Sequence, residues 1–287
     1  MNLNKEEKIQ LGQYKVFDDA IHKMQSRFSF SIEDFELIKK SYERKSSMDY
    51  RWYIECIDDT VYILRSWNPF IVFKIPFEKI GDKYISSIAY SCFETQKESN
   101  EATIQAQNYR NFWVYSLITQ LIFNEGSIMW MDAMILGNRV SIDLNGIHGF
   151  IHWRDVYNMG RRLSNEIDKK VLFYFSIFHD FFRESDYRDP KHGKKALYAL
   201  DSVKIDLKQW NKDSEDINKQ LEQLAFALEY HDATPEEWSN IKNHLKDDKT
   251  VQICLDSDKL DLGRAGIQPE EKYLLTSEAK LYLKENL

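Results

Sequence analysis

The chain has 287 residues, 43% hydrophobic and 30% charged, which is enough to bury one large core or two modest ones. Only 10 Gly and 5 Pro accompany an aromatic content of 14%, a balance that excludes a disordered or collagen-like chain and favours long elements with few turns. The net charge of −7 sits in the C-terminal part, where 12 Lys or Arg between Asp201 and Leu287 meet 19 Asp or Glu; this excludes a generic nucleic-acid-coating surface and is compatible with holding divalent cations.

In chain order, helical periodicity is expected over 15–27 and over 32–44, the second starting after Ser31 as N-cap. From Met48 to Phe93, β-branched and aromatic residues alternate with polar ones, and Asp58–Asp59, Asn68–Pro69 and Gly81–Asp82 punctuate them. That texture predicts three or four antiparallel strands. A long helix is expected from about Asn100 to Phe123, with Phe112, Tyr115, Ile118 and Leu121 on one face. The stretch 126–147 is apolar and fits either a strand or a short helix. From Ile147 onward the pattern is nearly all helix. The expected class is therefore α+β: a small antiparallel sheet with helices in an accessory domain, 1–140, and an all-α domain, 141–287.

Cys56, Cys92 and Cys254 form no CxxC pair and no disulfide framework, which suits a reducing cytoplasm. The N-terminal MNLNKEEKIQLGQY lacks the apolar stretch of a signal peptide, and no run approaches the roughly 18 apolar residues of a membrane span. A cytoplasmic protein without membrane contact is expected.

Five of the seven histidines fall between 148 and 231. In VLFYFSIFHDFFRESD, residues 171–186, His179 and Asp180 sit side by side within a strongly apolar helical pattern. Such a pair is costly to bury unless it is hydrogen-bonded or holds a metal, and Arg183 follows at helical spacing. In TVQICLDSDKLDLGRAG, Val251, Leu255 and Leu262 define a stripe that carries Asp258 but not Asp256, so Asp258 is the better ligand candidate. Gly263 is expected to terminate that helix, with Arg264 just beyond. The stripe Ile217, Leu221, Leu224, Leu228 points to His231 as its next member. A hydrogen-bonded core histidine is the plain alternative for His179 and His231.

These segments together resemble the HD superfamily of helical, metal-dependent phosphohydrolases. The resemblance rests on His152 in HGFIHWRDV, His179–Asp180 in FHDFFRESD and Asp258 in LDSDKLDLG, in the order H…HD…D. A DPKHG segment, Asp189 to Gly193, and the block DSDKLDLGRAGI extend it over residues 146 to about 277. One departure stands out: the arginine that HD domains commonly carry three residues after the first histidine is replaced by Asp155, with Arg154 one place earlier.

The resemblance implies a metal set of His152, His179, Asp180 and Asp258, with His192 and His231 adding a second ion about 3.5–4 Å away that Asp180 would bridge. A mixed His/Asp set suits Mn²⁺, Fe²⁺, Co²⁺, Ni²⁺ or Zn²⁺, one or two ions. A metal-held hydroxide would then attack phosphorus in line, with no need of a Ser or Cys nucleophile. Arg183 and Arg264 are candidates for the phosphate oxygens, as are Lys191 and Lys194 unless they simply face solvent. Glu184 and Asp261 are candidates to orient ligands or water, and His148 to line the pocket. The expected substrate is a phosphorylated small molecule, a nucleotide or something similar; nucleic acid is disfavoured and self-association is left open. A metal-holding domain that senses nucleotides or binds a partner without catalysis is the alternative.

The N-terminal half offers Trp52, Tyr62, Arg65 and Trp67 as aromatic and basic groups able to stack a base and hold a phosphate. A sheet packed by its aromatics is the competing expectation. No P-loop or GxGxxG is present.

Overall fold

The computed structural model describes residues 22–40, 52–65, 71–91, 112, 114, 115, 118, 140–187, 189–210, 214–234, 236–238, 241, 245 and 248–286. The chain divides into two compact units, Met1–Asn124 and Glu125–Leu287. The first is built on an antiparallel sheet and the second on helices, so the class is α+β.

The sheet of the first unit has six strands: β1 (His22–Ser31), β2 (Trp52–Ile57), β3 (Thr60–Arg65), β4 (Ile71–Pro76), β5 (Glu78–Ile80) and β6 (Lys83–Ser91). They pair in the order β1-β6-β4-β3-β2, with β5 on β6. Five strands thus arise where three or four were expected, and β1 is a correction. Residues 22–27 of the expected helix over 15–27 are strand, and the remainder lies outside the described residues. The reason is a period of two: Ser26, Phe28 and Phe30 are buried while Gln25 and Arg27 are exposed, and that alternation is satisfied by pairing with β6.

The β2–β3 hairpin turns at Asp58 and Asp59, both at positive φ (47° and 58°), the backbone of a two-residue type I′ turn. Helix α1 (Ile32–Lys39) begins where expected, because the Ser31 Oγ accepts the Asp34 backbone N–H at 3.1 Å. Phe35 stacks on Tyr84 at 3.9 Å and tilts against Phe77 at 5.0 Å, seating α1 on the sheet. Of the proposed base-binding group, Tyr62 is fully buried and belongs to the core. Trp67 and the side chains of Trp52 and Arg65 lie outside the described residues, as do Cys92 and the Asn68–Pro69 turn. In the expected helix over 100–123, the described Phe112, Val114, Tyr115 and Ile118 are helical and buried.

The second unit contains α2 (Phe150–Leu163), α3 (Lys169–Phe178), α4 (His192–Ala196), α5 (Leu200–Trp210), α6 (Ser214–Tyr230), α7 (Lys249–Leu260) and α8 (Ser277–Asn286). Every side chain of α3 from Val171 to Phe178 is buried, so this helix is apolar all round and forms the centre of the bundle. Asp168 caps it by accepting from the Lys170 and Val171 N–H groups. Helices α2, α6 and α7 pack around it. Among the described residues no helix is long and apolar enough to cross a membrane.

Two details of the α7 region differ from expectation. The helix does not stop at Gly263: it runs into a 3-10 turn over Asp261–Ala265 that closes at Gly266, the residue at φ 74°. Asp256, off the apolar stripe, is nonetheless completely buried. Its carboxylate accepts from the Leu275 and Thr276 N–H groups at 2.8 Å each and from the Thr276 Oγ at 2.7 Å. Those bonds compensate its burial and pin the segment leading into α8.

Candidate metal centre

Four helix ends deliver the histidines. His152 lies in the first turn of α2, whereas His179 caps the C-terminus of α3 with its N–H on the Phe175 carbonyl. His192 opens α4 directly after Lys191, which adopts φ 72°. His231 follows the last residue of α6. All four are buried, as are Asp180 and Asp258.

The ring nitrogens are sorted with one consequence for all four. The His179 Nδ1 donates to the Phe175 carbonyl at 3.0 Å, His192 Nδ1 to the Asp189 carbonyl at 2.7 Å and His231 Nδ1 to the Leu228 carbonyl at 2.8 Å. The His152 Nδ1 donates to the Asp261 carboxylate at 2.7 Å. Since carbonyl oxygens and carboxylates only accept, the proton sits on Nδ1 and the neutral ring presents its Nε2 lone pair inward.

Those Nε2 atoms meet in two groups around one carboxylate. His152 and His179 approach to 2.7 Å, each 3.5 Å from Asp258 Oδ1, and lie 3.3 and 3.7 Å from Asp180 Oδ2. His192 and His231 approach to 2.8 Å and lie 3.1 and 3.7 Å from Asp180 Oδ1. Within each of the groups His152/His179/Asp258 and Asp180/His192/His231, the ligand atoms all fall within 4.8 Å of one another. Asp180 turns one oxygen to each group.

The electrostatics favour a cation. Burial by itself raises a carboxyl, yet the imidazoles of His179, His148, His152 and His192 packed around it hold Asp180 well below the usual carboxylate range. Asp258 is also lowered against burial, by His179, His152 and His231. Burial would lower His152 and His192 too, but both are raised, chiefly by Asp180. At His179 burial prevails and pulls the ring down to about 4. Ionised carboxylates thus surround close imidazole lone pairs that repel one another unless positive charge lies between them. The two donor sets could each hold a metal ion.

The remaining candidates divide. Arg183 places Nη1 3.4 Å from Asp180 Oδ1 and 3.0 Å from His192 Nε2. Arg264 places Nη2 3.6 Å from Asp180 Oδ2 and donates Nε to the Ile147 carbonyl at 2.8 Å. Asp261 orients His152. Glu184 is not brought to the centre: its exposed carboxylate pairs with Lys195 at 2.9 Å. Lys191 and Lys194 are exposed. Arg154 is buried in α2 and donates to the Asn158 Oδ1 at 2.9 Å, a helix-internal bond.

His148 is closer to the centre than its sequence context suggests, with Nδ1 2.6 Å from Asp180 Oδ2. Asp232, 3.2 Å from His192 Nδ1, is a group the sequence reading missed; its only sequence signal is its place beside His231. No protein-family model matches this chain, and no curated protein or solved structure matches it.

Gly193 sets the spacing of the second group. A Cβ there would stand 2.6 Å from the Leu228 carbonyl oxygen, 2.9 Å from that of Glu229 and 2.8 Å from Asp232 Oδ1. Backbone oxygens at a helix end cannot yield, so Gly193→Ala should push α4 and His192 away from His231. The expected outcome is a loss of about 1–3 kcal/mol in urea unfolding together with weaker metal binding, read by calorimetric titration with Mn²⁺.

Proposed function

We propose that the second unit is an HD-type phosphohydrolase, and that it cleaves a phosphate ester or anhydride of a nucleotide-like molecule with the help of one or two divalent transition-metal ions. The observation that carries this reading is the convergence of four imidazole Nε2 atoms on Asp180, with Asp258 completing the order H…HD…D. Divalent ions held there by these histidines and carboxylates would supply Lewis acidity toward a phosphoryl oxygen and lower the pKa of a water nucleophile.

The chain's own groups do the rest. Arg183 and Arg264 stand on either side of Asp180 and can donate to the non-bridging oxygens of the phosphoryl group as charge builds on them. Asp261 fixes the tautomer of His152, as the carbonyls do for the other three rings. The first unit is an accessory domain in this reading, and the protein acts in the cytoplasm.

The test is metal-loaded protein, supplied in turn with Mn²⁺, Co²⁺, Ni²⁺ and Zn²⁺, offered nucleoside mono-, di- and triphosphates and cyclic nucleotides. Metal-dependent release of phosphate or nucleoside that His179→Ala abolishes supports the assignment. Stoichiometric metal without turnover of any phosphate would favour a sensor; activity that survives His179→Ala would place the reaction elsewhere.

A further inference from the structure

Lys259 directly follows Asp258 in the last turn of α7. Its ammonium stands over the Trp238 ring, 4.1 Å from the centroid, and donates to the His231 carbonyl at 3.4 Å. The residue is half-buried, and burial outweighs Asp258, Asp256 and Asp232 in holding its amine below the ordinary lysine pKa. A charged head group withdrawn from water is costly unless its contacts offset the loss. Trp238 is buried as well, and its indole N–H meets no acceptor among the described residues. What this ring offers the lysine is its face.

Both contacts fall on the stretch of chain that leaves α6. His231 stands one residue past that helix, where carbonyls run out of intrahelical donors and a cation is favoured. The Leu228 carbonyl is taken by His231 Nδ1, and that of Tyr230 by the Ala233 N–H at 3.2 Å. Trp238 sits in a helical turn opened by Thr234, whose N–H donates to Glu237 Oε2 at 2.9 Å while the Glu237 N–H donates to Thr234 Oγ at 3.3 Å. This capping box fixes the ring relative to the chain that carries His231. One ammonium, presented by α7, thus holds two points on that chain. It lies one peptide bond from Asp258 of the first group and one hydrogen bond from the main chain of His231 of the second.

We propose that Lys259 is a positioning residue for the second metal group: it holds the His231 main chain, through the carbonyl and the Trp238 ring, where the His231 Nε2 can share an ion with Asp180 and His192. The role requires that the centre bind metal, as the reading above does, and is independent of the bond cleaved there. Without the ammonium, the end of α6 keeps its short-range hydrogen bonds but loses its tether to the helix that carries Asp258.

The experiment is calorimetric titration of Mn²⁺ into the metal-stripped full chain. His152→Ala and His231→Ala identify which binding step belongs to which group. Lys259→Met, which keeps the stem and drops the charge, should weaken the step that His231→Ala abolishes by about tenfold and leave the other step unchanged. Lys259→Arg, which keeps a cation for the ring and a donor for the carbonyl, should restore it. Trp238→Phe should weaken the same step by less, and supplies the answer if Lys259→Met does not fold. Wild-type binding by Lys259→Met, equal weakening of both steps, no rescue by Lys259→Arg, or a wild type with no step sensitive to His231→Ala overturns the proposal. Two metal steps that respond as expected, in a protein that hydrolyses no phosphate, overturn the phosphohydrolase reading alone.

Discussion

Asp180→Asn should strip the centre of metal and cut phosphate release by at least about a hundredfold. The substitution preserves volume and one carbonyl oxygen, yet removes the charge on which both histidine groups and both arginines converge. Five ring nitrogens lie within 3.7 Å of this carboxylate, one each from His148, His152, His179, His192 and His231. Arg183 and Arg264, left without their shared anion in a largely buried setting, should cost about 3 kcal/mol of stability as well. Metal analysis after dialysis, alongside urea unfolding, separates the two effects. Metal retained at the wild-type stoichiometry would mean that Asp180 is only an electrostatic partner and not a ligand.

Asp256→Ala should have an equally large effect of a different kind. It sits two residues from Asp258 on the same helix, but its oxygens accept from Leu275, Thr276 and the Thr276 hydroxyl, which in turn accepts the Ala279 N–H at the start of α8. Burial raises its carboxyl above the usual value in spite of those donors, so the group is held at a cost. Removing it leaves two backbone N–H groups and a hydroxyl without their acceptor, worth about 3 kcal/mol together. The helix it anchors closes a cluster of Leu163, Ile253, Leu260, Leu274 and Ala279, so limited proteolysis should clip the variant near residue 275 first. Metal per folded molecule should stay unchanged. A loss of metal proportional to that of an Asp258 variant would show that both carboxylates serve the centre.

The contrast within Asp256–Ser257–Asp258 shows what the sequence could and could not reveal. Apolar periodicity identified Asp258, because a carboxylate on a buried stripe needs a cation or a donor. The same argument passed over Asp256, whose partners lie 19 and 20 positions away and leave no local trace. His179 and Asp180 were legible because a polar pair interrupts an unbroken apolar helix. His148 and Asp232 were much less so, since each sits in a polar turn where a polar residue is unremarkable. In the first unit, the β-branched alternation and the paired aspartates announced the hairpin. β1 departs from the helix expected over 15–27 because that expectation stopped short of Phe28 and Phe30, whose spacing of two with Ser26 is satisfied by pairing with β6.

The anchoring of the histidine rings has a consequence for how the protein matures. His179, His192 and His231 each direct Nδ1 to a carbonyl only three or four residues earlier in the chain. Which nitrogen each ring offers is therefore settled within a single turn of backbone, before distant helices come together. Long-range packing then fixes only the separations between rings. Bringing the inward lone pairs to 2.7 and 2.8 Å is the cost that remains, and a divalent ion held between the rings would offset it.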